Sequence, residues 1–249
     1  MKKIVIQAGH VNCQNNSIVA LRNNTGAPNE LSFNLDIANQ VSSELRRRGF
    51  EVKQTDAPAN DDSIIRSTDW DGFFSIHYDA DVYGKGGYFV DFPEPSTDGA
   101  TQESQRLAKV LSEEYGRVTG IVNHPERSNA NTRYYYMWKY LTARTPCVLI
   151  ECGVGMHVPD DWQTLHFDRP RVVEAITRGI CKAFDIGYDI VPPPPPPVVP
   201  DDPPTGNGEP PPTNICIEYK DKLNIIKTIL WGKGWPWTKV AKLKELLPR

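Results

Sequence analysis

No stretch of this chain approaches the roughly 18 consecutive apolar residues that a membrane-spanning helix needs, so no span is expected. The opening MKKIVIQAGH is apolar only from Ile4 to Ile6, too short for the core of a secretory signal. It predicts a first β-strand, and a product made in the cytoplasm that something else must release if it acts outside. A dominant charge is missing as well. The chain has 28 Lys and Arg against 31 Asp and Glu, a formal net charge of -3, so no global field points to nucleic acid as a partner. The five cysteines are irregularly spaced. Cys147 and Cys152 do not form a CxxC pair, which excludes a zinc knuckle and a disulfide scaffold and leaves buried, reduced thiols. No HExxH occurs either, so a compact helical zinc motif is excluded.

What is present is an alternation of strands and helices. Residues 3–8 predict a strand that ends in Ala8-Gly9-His10. Asn12 to Pro28 is polar and predicts a long surface loop. From Asn29 to Arg48, Leu31, Leu35, Ala38, Val41 and Leu45 recur at steps of three or four and predict an amphipathic helix closed by Gly49. Strands are expected over 50–55, 72–77 and 88–91, the last at a sheet edge, and a second helix over 102–115. The aromatic stretch 134–141 predicts helix, 146–150 strand, and 160–165 a short helix. Pro170 opens a last helix with Val172, Val173, Ile176 and Ile180. This order specifies an α/β fold with a mostly parallel central sheet flanked by helices.

One stretch stands out within that frame, TPCVLIECGVGMH at 145–157. Val148-Leu149-Ile150 is a buried-strand sequence, and Glu151 falls at or just past its C-terminal end. A carboxylate there is costly unless it is paired, hydrogen-bonded or near a metal. Open α/β sheets place their ligands beyond the C-terminal ends of the strands. His10 follows the first strand, His77 ends the third, and Glu30 opens the first helix, so all can reach that rim. Two imidazoles and a carboxylate, with a fourth position left for water, form a catalytic zinc donor set, and a further carboxylate could take the water's proton. Taken singly, a strand-end histidine is more often structural, and Glu30 also suits a helix N-terminus on dipole grounds alone.

The same residues carry a family resemblance. AGH at 8–10, NELSFNLDIANQVSSELRRRGFEVKQT at 29–55, SIHYDAD at 75–81 and TPCVLIECGVG at 145–155 resemble, in order and spacing, four blocks of the zinc-dependent N-acetylmuramoyl-L-alanine amidases of the Amidase_3 type. The resemblance covers residues 3 to about 184. It implies that His10, Glu30 and His77 hold Zn2+ and that Glu151 is the general base and acid. The implied reaction is hydrolysis of the amide between the lactyl group of N-acetylmuramic acid and L-alanine in peptidoglycan. The chain departs from the family pattern at Gln7-Ala8, at Val11-Asn12 and at Val154-Gly155-Met156-His157, where loop shape and substrate preference are at stake. A zinc peptidase cutting within the stem peptide, or a non-catalytic wall-binding protein, are the competing functions.

The other polar candidates are less defined. His157 and His124 lie in loops that could touch substrate, and His166 fits a helix end. Tyr134, Tyr135, Tyr136 and Trp138 fit sugar stacking or core packing, and Arg133 or Arg144 could meet a stem-peptide carboxylate. The catalytic domain is expected over 1–187, a linker over 188–213 and a small helical appendage over 214–249. From Pro192 to Pro212, 12 of 21 residues are proline, a stiff spacer unable to form a core. Residues 214–249 hold eight Lys or Arg against three Asp or Glu, with Trp231, Trp235 and Trp237. That composition fits anionic wall polymers, a membrane surface or self-association. A single catalytic domain with such a tethered piece suggests a phage endolysin, reaching the wall after holin-type release.

Overall fold

The computed structural model describes residues 1–14, 17–20, 26–55, 70–80, 86–94, 102–127, 135, 138, 141, 144–155 and 158–189. The expected linker and appendage, Tyr188 and Asp189 apart, lie outside these residues, as does most of the aromatic stretch 134–141.

A five-stranded sheet forms the centre. Its strands are β1 (Lys3–Ala8), β4 (Glu51–Thr55), β5 (Gly72–Asp79), β6 (Phe89–Asp91) and β7 (Cys147–Val154), in the order β4-β1-β5-β7-β6. The first four strands in that order are parallel, and β6 joins β7 antiparallel at the edge. The mostly parallel α/β expectation is met. The region 12–28 is a correction. It contains a separate hairpin of β2 (Val11–Gln14) and β3 (Ser17–Ala20), with Val11 opposite Ala20 and Gln14 opposite Ser17. Each strand has only four residues, too few for alternation to stand out.

The helices are α1 (Glu30–Arg47), α2 (Gln102–Thr119), α3 (Pro159–Phe167) and α4 (Arg169–Ala183). α1 buries Phe33, Leu35, Ile37, Ala38, Val41 and Leu45. It ends in a left-handed Gly49, whose amide donates to Arg46 O at 3.0 Å while that of Phe50 donates to Leu45 O at 3.1 Å. That pair of bonds satisfies the last carbonyls and turns the chain into β4. α2 runs four residues past its expected end, to Thr119. α4 packs on both α1 and α2, and Phe184 beyond it meets Phe74 of β5 edge-on. No helix among the described residues is long and apolar enough to cross a membrane.

The opposite face of the sheet has its own core of Val5, Trp70, Phe73, Trp138, Leu141, Cys147 and Leu149, with Tyr135 against it. Side chains alternate faces along a strand. Two steps beyond Val5, Phe73 and Leu149 on this same face come Gln7, Ser75 and Glu151, and two beyond Ser75 comes His77. The apolar core therefore turns polar toward the C-terminal ends of the strands. Cys147, Cys152 and Cys181 are buried thiols, as expected.

Candidate metal and catalytic site

His10, Glu30 and His77 come together, with one donor atom from each lying within 4.8 Å of the others. His10 leaves β1 in the left-handed region, φ 58°, which swings its ring over the strand ends. The Gly9 amide donates to Ile76 O at 2.9 Å and keeps this corner on β5. Gly9 lies flat against the His77 imidazole, where any Cβ would overlap the ring. Glu30 begins α1 and is 2% exposed, so it needs partners. Its Oε2 accepts the Ala27 amide at 2.7 Å, and its Oε1 accepts from Asn34 Nδ2 at 3.1 Å. The same Asn34 nitrogen donates to Gly9 O at 2.9 Å, tying the helix to the His10 corner. Glu30 Oε1 lies 3.2 Å from His77 Nδ1 and 3.5 Å from His10 Nε2. Burial alone would raise the Glu30 carboxyl. The His77 hydrogen bond, both imidazoles and the Ala27 amide outweigh it and hold the group below its ordinary value.

Glu151 is the register partner of His77 across β5 and β7, so both side chains project from one face. Here the sequence expectation is corrected. Glu151 does not end its strand, because β7 continues to Val154. The continuation is irregular. From His77 to Asp79 on β5 the partner strand advances from Glu151 to Val154, one residue extra, and Gly153 takes φ 142°. A bulge of this kind re-aims side chains beside it and is frequent near active sites. Glu151 Oε2 is shielded from solvent and has no hydrogen-bond partner among the described residues. Burial, and then the negative charge of Glu30, push the Glu151 carboxyl well above its ordinary value, against the opposing charge of Arg127.

Arg127 is 6% exposed and holds the far wall. It pairs with Asp79 at the end of β5, points toward the Gly87 carbonyl at 3.4 Å and lies over the Phe89 ring at 5.4 Å. Phe89 is itself the partner of Glu151 on β6. Asp161, in the first turn of α3, accepts the amides of Gly87 at 2.6 Å and Val154 at 2.9 Å, closing the bulge.

The remaining sequence candidates are not drawn in. His124 Nδ1 pairs with Glu126 at 2.7 Å. His166 meets Gly155 O at 3.2 Å and stacks near Trp162, and burial lowers its proton affinity. Arg144 is exposed before β7, while His157 and Arg133 lie outside the described residues. Tyr135 takes the core-packing alternative, lying against the Val5 and Trp138 cluster, and its hydroxyl comes within 3.3 Å of His77 Nε2. Gln7, Ser75, Asn34 and Arg127 were not singled out as site residues. Gln7 and Ser75 had a usable signal, being polar residues at inward strand positions. Arg127, in a short 3-10 turn, had none.

Two imidazoles and one carboxylate, with Glu30 and His77 buried and the His10 side chain 22% exposed, form a donor set that could hold a metal ion and leave a fourth position open. A family model described as N-acetylmuramoyl-L-alanine amidase matches residues 4–182. Among solved structures, the chain resembles the CwlD amidase of Clostridioides difficile in complex with the GerS lipoprotein. That match has 22% identity and TM-score 0.57, over 74% of this chain and 99% of that one. The amidase Ami1 of Mycobacterium smegmatis matches at 18% identity and TM-score 0.60, over 74% and 97%. The catalytic domain of an endolysin targeting Clostridia difficile matches at 17% and 0.55, over 73% and 98%. No curated protein matches the chain by sequence.

Proposed function

The chain belongs to the N-acetylmuramoyl-L-alanine amidase family, and on that premise we propose that it is a zinc-dependent hydrolase of the bond between the lactyl group of N-acetylmuramic acid and L-alanine. Peptidoglycan is the substrate that the family membership supports. The observation that carries the zinc reading is the convergence of His10, Glu30 and His77 beside Glu151 on the neighbouring strand. Zinc held by those three residues would act as a Lewis acid toward the scissile carbonyl and make a water more acidic.

The protein's own groups do the rest. Glu30 is fixed by the Ala27 amide and by Asn34, so the donor set is organised in advance. Glu151 Oε2 has no hydrogen-bond partner among the described residues, and burial raises its affinity for a proton. Such a carboxylate takes a proton from the attacking water as the new C–O bond forms. It then gives that proton to the alanine nitrogen as the C–N bond breaks. The products are a free lactyl carboxylate and a free L-alanine amine.

Glu151→Gln keeps the size of the side chain and removes the base. Hydrolysis is expected to fall by about 10²- to 10⁴-fold with zinc content unchanged. A variant that kept full activity would remove Glu151 from the reaction. Beyond the catalytic part, the basic tryptophan-bearing segment 214–249 serves as a wall or membrane anchor on a proline spacer, and the whole acts as a phage endolysin after holin-type release. The composition of residues 192–249 supports this arrangement.

A further inference from the structure

Behind His77, on the side away from Glu30, lies a connected set of polar groups. His77 Nε2 is 3.1 Å from Ser75 Oγ and 3.3 Å from Tyr135 Oη. Ser75 Oγ donates to Gln7 Oε1 at 2.7 Å, and Tyr135 Oη donates to the same oxygen at 2.9 Å. The two hydroxyls are 3.1 Å apart. Gln7 is 1% exposed, Ser75 is fully buried and His77 is 2% exposed, so these groups satisfy one another.

Counting hydrogens gives the direction of the bonds to His77. A hydroxyl has one hydrogen and two lone pairs. Gln7 Oε1 is an acceptor only, and it takes the hydrogens of both Ser75 and Tyr135. Toward His77 the two hydroxyls then present lone pairs alone, so Nε2 must bring the hydrogen. With a metal bound the ring is neutral, and the lone pair of Nδ1, the nitrogen 3.2 Å from Glu30 Oε1, would meet the cation in place of the hydrogen that otherwise links the two groups. Which imidazole nitrogen binds a metal is set by the bond the other one makes.

We infer that Gln7, Ser75 and Tyr135 are positioning residues that hold His77 with its hydrogen on Nε2, so that it binds the metal through Nδ1. The inference rests on the zinc reading above. It gives the carboxamide of Gln7 a defined role, that of a neutral double acceptor buried under the site. Tyr135 holds the ring from the opposite wall through its hydroxyl, with its own ring set edge-on against Trp138 at 5.1 Å.

The test is made on the zinc-loaded full chain, with 15N-labelled histidine observed by long-range 1H–15N correlation. His77 is expected to be metallated at Nδ1, with a slowly exchanging hydrogen on Nε2. Competition with a zinc chelator is expected to show affinity about 10- to 100-fold weaker in Gln7→Leu, with smaller losses in Ser75→Ala and Tyr135→Phe. Gln7→Glu, which keeps an acceptor oxygen, is expected to restore affinity close to that of the unaltered chain. If Gln7→Leu does not fold, the two hydroxyl variants and the spectrum of the unaltered chain decide. Zinc bound through His77 Nε2, or affinities unchanged in the folded variants, would overturn this inference alone. A chain that binds no zinc would overturn the proposed function and this inference with it.

Discussion

At Glu151, one carboxyl is asked to be both buried and reactive. Its raised proton affinity also has a consequence for stability. A carboxyl raised in the folded state binds its proton more tightly there than in the unfolded chain. Its contribution is therefore complete below the ordinary carboxylate range and is lost as pH rises through and above it. Glu30, held low, has the opposite slope, complete above the ordinary range and lost as pH falls. In zinc-free protein, Glu151→Gln is expected to be more stable than the parent at neutral pH. The difference should shrink as pH falls through the carboxylate range. Urea unfolding at a series of pH values measures it, and a difference independent of pH would mean that Glu151 is not desolvated as described. These residues are also the most legible in the sequence. His10, Glu30, His77 and Glu151 each sat at an element end or a strand position that chain order alone brought to one rim.

Strands and turns decide how those residues face one another. β5 and β7 fix His77 opposite Glu151, and the bulge at Gly153 lets Val154 reach Asp161. Arg127 joins the end of β5 to the 86–89 segment through Asp79, Gly87 and Phe89. Removing one partner of a buried ion pair strands the other. Arg127→Met is therefore expected to lower the unfolding free energy by about 3–5 kcal/mol, read by urea denaturation. A loss below about 0.5 kcal/mol, the range of ordinary surface substitutions, would show that the pair does not clamp this wall. The strands 72–77 and 146–150 are legible in the sequence, but the bulge and the Arg127 contacts are not. The apolar run Val148–Ile150 marks a strand, but Glu151 and Gly153 interrupt the pattern before Val154, and pairing with β5 and β6 carries the strand through them. The β2–β3 hairpin is hidden for another reason, since two strands of four residues are too short for a pattern to declare itself. Arg127 acquires its partners only through tertiary contact, and no local pattern anticipates that.

At the scale of the whole molecule, the proposed chemistry occupies one part of the chain. Every residue named in the proposed chemistry lies between Gln7 and Glu151, inside the 4–182 family match. The proline-rich and basic segments follow it. A chain ending at Asp189 is expected to cleave soluble muropeptides at close to the full-length rate, while its binding to isolated cell walls weakens by about tenfold or more as a tethered contact is lost. Sedimentation with purified walls measures the binding, and equal binding by both forms would refute an anchoring role for 190–249. The central claim is the bond that is cut and the metal it needs. Mass spectrometry of peptidoglycan digested by the full chain, with and without a zinc chelator, tests both together. Stem peptides released with a free L-alanine amine, intact glycan strands, and no release once zinc is chelated are the expected result. Cleavage within the stem peptide, or release undiminished by the chelator, would contradict it.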